Sequence, residues 1–285
     1  MSKHPSSTDK HAERKMDVLR MLQSSMQSSM QGTLPGSVQS ARQGGSAIPL
    51  NELAKRLGVS VSTLRRDLRE LQEAGAVRLV AGRVEAPGSP GAEMPFTLRM
   101  LANREEKQRI AIAALGLIQN GETIFLTGGT TILELAYLLP GQRHLTAITN
   151  SLRVANALLD KPGIELIILG GRVRSGEQTL HGLLTEWGVQ QVRADKLFFG
   201  IQAVSAQHGL THGQMVEVST DRALADAASQ VIVLADHSKL GRVAAALVLP
   251  LSKVHILITG SEISPEQLKT FRAHGAQHHV NIMVV

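Results

Sequence analysis

Residues 49–84 read PLNELAKRLGVSVSTLRRDLRELQEAGAVRLVAGRV and combine two helical patterns with a short apolar hairpin. Apolar residues recur at helical spacing on both sides of Gly58, at Leu50, Leu53, Ala54, Leu57, Leu64, Leu68 and Leu71. This spacing predicts two helices that bury these faces together across a tight turn, with Ser60 as the N-cap of the second helix. The following run, residues 77–84, predicts a small hairpin that turns at Ala81-Gly82.

Burial of that apolar face turns a polar face of the second helix outward. Arginine binds phosphate or guanine, and hydroxyls bond phosphate or base edges. The hairpin adds two arginines that would flank a minor groove. The sequence therefore predicts a DNA-binding surface made by Ser60, Ser62, Thr63, Arg65, Arg66, Arg69, Arg78 and Arg83. The alternative is a solvated helical hairpin with ordinary surface charges, Asp67 and Glu70 included.

The run GVSVSTLRRDLRELQEAGAVRLVAG, residues 58–82, resembles the winged helix-turn-helix of the DeoR family of bacterial transcription regulators. Residues 11–22, HAERKMDVLRML, resemble the first helix of that family. Two features depart from the family pattern. The hairpin has one glycine, Gly82, where two are usual, and residues 23–47, rich in Ser, Gln and Gly, form a long insertion that we expect to be flexible.

The amino-acid composition excludes several classes of protein and of binding site. The 285 residues suffice for about two domains. Cysteine is absent, which excludes disulfides and thiolate metal sites, and aromatics at 2% disfavour base stacking as a binding mode. Residues 1–100 hold 14 Lys and Arg against 9 Asp and Glu, whereas residues 101–285 hold 16 against 15, so the basic character belongs to the N-terminal third. Without a signal-like or membrane-length apolar segment, we expect a cytoplasmic protein.

The chain divides into predicted segments with different patterns. We expect a disordered tail at 1–10, a winged helix-turn-helix domain at 11–85, a linker rich in Pro and Gly at 86–95 and an α/β domain at 96–285. The last begins with a predicted helix from Arg104 to Asn120. Almost continuously apolar strands follow, which indicate a parallel or mixed sheet covered by helices; they span residues 122–127, 145–149, 164–169, 196–201, 231–235, 254–259 and 280–285.

Several polar loops with glycines and hydroxyls follow these strands. Ligands of open α/β sheets bind beyond the carboxyl ends of strands, where glycines allow close approach to an anion. The loops contain Thr127, Gly128, Gly129, Thr130 and Thr131; Asn150 and Ser151; Gly170, Gly171 and Arg172; and Asp236, Ser238 and Lys239. Each has a plain alternative as a turn, cap or surface charge. The glycine spacing does not match a dinucleotide-binding motif, so we do not expect NAD.

In the same order along residues 100–260, these loops resemble the sensor domain of the DeoR family. The resemblance implies a fold similar to ribose-5-phosphate isomerase and an effector that is a phosphorylated sugar or related metabolite. It implies phosphate contacts at Gly129, Thr130, Thr131 and Lys239, and sugar contacts at Asn150, Asp236 and either Asp195 or Glu217. Two acids of the family pattern are missing, because Thr127 and Gly260 stand in their places.

Together these patterns favour a homo-oligomeric repressor, without a cofactor or metal, whose affinity for operator DNA depends on the effector. The alternative is a sugar-phosphate isomerase with an appended basic domain, for which Asp195, Glu217 and Asp236 are the available acids. We do not expect a metal site, because the eleven His are scattered. His208 and His212 are four residues apart, but Gly209 and Gly213 interrupt the helix that such a metal-binding pair would need.

Overall fold

A computed structural model describes residues 11, 14–15, 17–19, 21–22, 47–73, 77–85, 96–140 and 144–285. The predicted tail, linker and nearly all of the insertion lie outside the described residues. The chain divides into two compact units, Met1–Ala102 and Asn103–Val285. None of the helices among the described residues has both the length and the apolar composition that crossing a bilayer requires.

The first unit is a winged helix-turn-helix, as predicted. Its elements are α1 (described residues between 11 and 22), β1 (Ile48–Pro49), α2 (Leu50–Arg56), α3 (Val61–Glu73), β2 (Arg78–Val80), β3 (Arg83–Glu85) and α4 (Phe96–Leu101). Leu53, Leu64, Leu68 and Leu71 share one core. The hairpin turns at Ala81 and Gly82, both with positive φ, which matches the twist of the paired strands. The antiparallel sheet has the order β1-β3-β2, and the two-residue β1 was too short to predict.

The second unit is an α/β domain, also as predicted. It begins with α5 (Arg104–Leu115), shorter than expected because the chain tightens into a turn at Gly116, where Leu117 N–H donates to Ala114 O. The other helices are α6 (Thr130–Leu138), α7 (Leu152–Leu158), α8 (Leu183–Gln190), α9 (Met215–Asp226) and α10 (Pro265–His278).

Each of the seven predicted strands lies in one parallel sheet. They are β4 (Thr123–Leu126), β5 (Leu145–Thr149), β6 (Ile164–Ile168), β9 (Ala194–Gly200), β12 (Ala228–Leu234), β14 (Ile256–Thr259) and β15 (Asn281–Val284). Their order is β15-β14-β12-β9-β4-β5-β6, with an apolar core on each face. Five short strands were not predicted: β7 (Arg172–Arg174) pairs with β8 (Thr179–His181), and β10 (Ala203–Ser205), β11 (Gly209–His212) and β13 (Ala246–Leu249) form a small antiparallel sheet.

Candidate functional site

Helix α3 presents three exposed arginines on its polar face. The Ser60 hydroxyl accepts a hydrogen bond from Thr63 N–H at 3.1 Å, which is the predicted N-cap. Thr63 is half-buried, while Ser60, Ser62 and the three arginines are exposed. Within the part of the chain that the structure describes, no hydrogen bond or ion pair engages the guanidinium groups of Arg65, Arg66 and Arg69. These groups are therefore available to an anionic partner.

The hairpin arginines differ from each other. Both Arg78 and Arg83 are exposed, on paired strands β2 and β3. Arg83 Nη2 donates to Ala47 O at 2.6 Å, so part of its hydrogen-bonding capacity is already used. No hydrogen bond or ion pair joins the guanidinium group of Arg78 to another described residue.

A buried acid lies in α3, between the arginines of the exposed face. Asp67 has no exposed surface, and it accepts hydrogen bonds from Arg14 Nε and, at 3.1 Å, from Arg14 Nη2. The exposed Glu70 is bonded by Lys15. The alternative interpretation of the sequence counted both acids as ordinary surface charges, and the pattern around them did not show their partners, which precede them by more than fifty residues.

In the second unit, the strand order reverses between β4 and β9. From β4 the chain proceeds through β5 to β6 on one side, and then from β9 through β12 and β14 to β15 on the other. Such a reversal opens a crevice at the carboxyl ends of the two central strands, where open α/β sheets bind ligands. The loop at Thr127–Thr131 and the strand end at Gly200 lie at this point.

Glycines bring these two segments close together. A Cβ on Gly200 would lie 2.6 Å from Gly128 O, and one on Gly128 would lie 2.4 Å from Thr179 Cγ2, so neither position accommodates a side chain without movement. The buried Thr127 hydroxyl accepts from Gly200 N–H at 3.0 Å. Thr127 therefore joins the ends of β4 and β9.

Helix α6 begins at this crevice without a side-chain cap. Its N-cap is Gly129, with φ of 114°, and the first hydrogen bond of the helix runs from Leu133 N–H to Gly129 O. The first-turn N–H groups have no partner within the helix and attract negative charge. Thr130 and Thr131 line this turn, largely buried.

The turn after β5 contains an unpaired acceptor. Asn150 is buried, and its Nδ2 donates to Leu180 O at 3.1 Å, whereas its Oδ1 has no hydrogen-bond partner among the residues that the structure describes. Ser151 caps α7 by accepting from Val154 N–H. A ligand hydroxyl would satisfy Asn150 Oδ1, which otherwise costs free energy in its buried position.

The turn after β6 packs against Thr185 of α8. Gly170 O accepts from the Thr185 hydroxyl at 2.6 Å, and a Cβ on Gly171 would lie 2.1 Å from the same Oγ1. Arg172 begins β7 and is exposed. This turn is therefore fixed by packing, and Arg172 is the part of it that faces solvent.

The loop after β12 holds a buried carboxylate. Asp236 accepts from Ser238 N–H and from Asn103 Nδ2, both at 3.0 Å, and from the Ser238 hydroxyl. Burial raises the pKa of Asp236, but Lys239, Ser238, Lys107 and Asn103 outweigh burial and hold it below its ordinary value. Asp236 is therefore ionised and faces the half-buried Lys239.

An acid from α5 fills the space beside Gly260. A Cβ on Gly260 would lie 2.3 Å from Glu106 Cγ. Glu106 is buried and accepts from His237 N–H at 2.6 Å. The sequence analysis did not foresee this contact, because Glu106 and Gly260 belong to different elements that are far apart in the chain. Glu106, Asp236 and His237 have possible metal-ligating atoms within 4.8 Å of one another, but the lysines beside Asp236 disfavour a cation.

Glu217 is the centre of a buried charged cluster, defined here as Arg174, His181, His212, Glu217 and Asp221. Its Oε1 pairs with Arg174, and its Oε2 lies 2.6 Å from His212 Nε2. His212 Nδ1 accepts from Gln214 N–H, so Nε2 carries the proton and donates. Burial raises the pKa of Glu217, but His212, Arg174 and His181 together lower it below its ordinary value.

Thr179 lies between this charged cluster and the crevice, because it contacts both His181 and the loop at Gly128. His181 Nε2 lies 2.8 Å from Thr179 Oγ1, and Thr179 is the side chain that Gly128 accommodates. Burial lowers the pKa of His181, and within the described part of the chain its Nδ1 has no hydrogen-bond partner. In Asp221, burial raises the pKa to about 7.

Asp195 does not join the other candidate residues. It is the second residue of β9, is exposed, and accepts from Thr123 N–H at the start of β4 at 2.9 Å. The strands are parallel, so Asp195 lies at the edge of the sheet opposite the loops. The remaining predicted loops all lie at the carboxyl edge.

Two family models match the chain. The DeoR-like helix-turn-helix domain matches residues 42–89, and the DeoR C terminal sensor domain matches residues 102–261. Among curated proteins, the HTH-type transcriptional regulator GolR of Listeria innocua is 34% identical over 80% of this chain and 90% of its own length. The glycerol-3-phosphate regulon repressor of Escherichia coli is 32% identical over 82% of this chain and 91% of its own length.

A solved ribose 5-phosphate isomerase from Methanocaldococcus jannaschii is also similar, at 20% identity and a TM-score of 0.36 over 48% of this chain and 55% of that chain.

Proposed function

Because the chain belongs to the DeoR family of transcriptional regulators, we propose that it is a repressor whose operator affinity is controlled by a phosphorylated sugar or related metabolite. The family and the relatives indicate a DNA-binding regulator, and they do not favour the alternative of an isomerase. The observation that carries the proposal is the exposed face of α3, where three arginines lie without partners among the described residues. This face suits phosphate and guanine, as proposed from the sequence.

The proposed effector site is the carboxyl edge of the sheet around the crevice between β4 and β9. The uncapped first turn of α6, with Thr130 and Thr131, would receive the phosphate together with Lys239. Asn150 Oδ1 would accept a hydroxyl, and Asp236 is ionised and able to accept another. Glu217 is engaged by Arg174 and His212, so it orients the crevice wall rather than contacting the sugar.

Control of DNA binding follows from linkage. An effector that binds the DNA-free conformation more tightly shifts the population away from the operator by no more than its differential affinity. Operators read by helix-turn-helix proteins are commonly two-fold symmetric, so the proposal includes a homo-oligomer. It also includes a cytoplasmic location, because a regulator must reach its DNA.

DNA binding is tested with a fluorescent duplex that the purified protein selects from a random pool. Arg66→Ala is expected to raise the Kd of this duplex about 10-fold to 100-fold, since one base or phosphate contact contributes about 1–3 kcal/mol. The melting temperature should not change. The matched control is Arg193→Ala, an exposed arginine of the second unit that donates to Gln190 O and Val192 O. Equal Kd values for the two variants would contradict the role of α3.

The effector is sought by a thermal-shift screen with phosphorylated sugars, because a ligand of the native state raises the melting temperature. A compound that stabilises the protein should also raise the Kd of the selected duplex. Lys239→Ala should abolish both responses and retain DNA binding. Lys253→Ala, which removes an exposed lysine 3.8 Å from Asp226, should retain both. A full response in Lys239→Ala would exclude that residue from the site.

A further inference from the structure

Helices α8 and α9 expose a group of large apolar side chains that the proposed function does not use. These residues are between 44% and 82% exposed: Leu183, Leu184, Trp187, Met215 and Val216. We call them the α8–α9 face. Single exposed apolar residues are common on protein surfaces, whereas a contiguous group of this size is not.

Hydrogen bonds place the two helices side by side. The Ser219 hydroxyl donates to Glu186 Oε1 at 2.6 Å, and Gly182 N–H donates to the Thr220 hydroxyl at 3.2 Å. On α9, Met215 and Val216 precede Ser219 by four and three residues, so they lie one turn away on the same side. On α8, Trp187 follows Leu183 by four residues and Leu184 by three, so these three side chains share one face of the helix. The five apolar side chains therefore belong to one surface.

The area of this surface matches an interface. The exposed fractions of the five residues correspond to roughly 600 Å², at the upper end of the largest apolar patch on a typical monomer. Two such faces seated on each other would bury roughly 1,200 Å², where stable specific interfaces begin. Trp and Met are also enriched in interface cores, and Trp is frequently a residue that dominates binding energy.

The chemistry of the face excludes the partners already proposed. None of its five side chains carries a charge, so it offers nothing to phosphate in DNA or in an effector. The nearby Glu186 is satisfied by Ser219 and Thr220, and Arg222 donates to Leu247 O and Val248 O. Polar groups at the margin are thus paired within the chain, which leaves an apolar centre with a polar rim.

We propose that the α8–α9 face is the surface through which two copies of this chain associate, each face seated on the other about a two-fold axis. A second copy is the favoured occupant because an isologous contact needs only one self-complementary patch, and the area suffices for it. The inference rests on the homo-oligomer of the proposed function and specifies its contact surface.

Trp187 is the only Trp of the chain, so its fluorescence reports the environment of the face directly. The experiment measures the mass of the full-length protein by light scattering over a dilution series, together with the emission wavelength of Trp187. Leu184→Asp is expected to halve the mass or reduce it further, to raise the dissociation constant at least about 100-fold and to shift the emission to the red. The matched control is Leu159→Asp, because Leu159 is 64% exposed on another helix end and should leave the mass unchanged.

A second variant, Met215→Glu on α9, keeps the test valid if Leu184→Asp does not fold, and it should dissociate the oligomer in the same way. An oligomer of wild-type mass in a folded variant, with unchanged Trp187 emission, would overturn the assigned surface and leave the homo-oligomer intact. A wild-type protein that is monomeric at every concentration would overturn both, whereas DNA binding by α3 would stand. A monomer with buried Trp187 would show that the chain covers the face itself.

Discussion

The proposed DNA-binding face on α3 and the proposed effector crevice are built in opposite ways. The face on α3 consists of exposed side chains from thirteen consecutive residues, with arginines that have no partners among the described residues. The crevice is assembled from the ends of β4, β5, β9 and β12, and its acids are buried and already bonded. Substitutions on the face should therefore change binding alone, whereas substitutions around the crevice should change stability as well.

Asp67 is an exception to this comparison, because it lies on α3 and yet is a buried charge whose substitution should change stability. Asp67→Ala should lower the free energy of unfolding of the first unit by about 3–5 kcal/mol, since it leaves Arg14 without its buried partner. Circular dichroism would follow the helices of both units during thermal unfolding, and Trp187 fluorescence, which reports the second unit alone, would show which transition belongs to the first unit.

Glu70→Ala is the matched control on the same helix. Glu70 is 47% exposed and pairs with Lys15, so its loss should cost no more than about 1 kcal/mol. Equal destabilisation by the two substitutions would show that burial of Asp67 does not anchor α3.

The contrast also explains what could be predicted from the sequence. Periodicity within one helix or strand identified the face of α3 and all seven strands of the large sheet, because these patterns involve neighbouring residues. It could not show that Glu106 fills the space beside Gly260, since that contact joins residues more than 150 positions apart. Nor could it show that Asp195 lies at the opposite edge of the sheet, which depends on its position within β9.

Asp221, a buried acid of the second unit, is expected to make the stability of this unit depend on pH. Burial raises its pKa to about 7 from an ordinary 3.8, so between these values the native state holds a proton that the unfolded state has lost. This carboxyl group stabilises the fold at low pH, and its contribution declines as the pH rises towards 7. Asp221→Asn should remove that decline, and its stability relative to the wild type should increase by about 2–3 kcal/mol between pH 5 and pH 8.

Urea unfolding of the second unit at several pH values would measure this difference. Asp226→Asn on the same helix replaces an exposed acid and should give a difference that does not vary with pH by more than about 0.5 kcal/mol. A constant difference for Asp221→Asn would mean that the native carboxyl is ionised across the whole range.

Gly200→Ala tests the closeness of β4 and β9 with the smallest expected effect. The added Cβ would meet Gly128 O at 2.6 Å and Ile132 Cγ1 at 3.2 Å, so the loop that begins α6 must shift. The free energy of unfolding should fall by about 1–3 kcal/mol. The matched control is Gly170→Ala, at the same edge of the sheet, where a Cβ would meet nothing within 4 Å.

Because the shifted loop carries the proposed phosphate contacts, Gly200→Ala should weaken effector binding at temperatures where the protein remains folded, as measured by calorimetry. Wild-type affinity in a destabilised Gly200→Ala protein would place the effector away from this crevice.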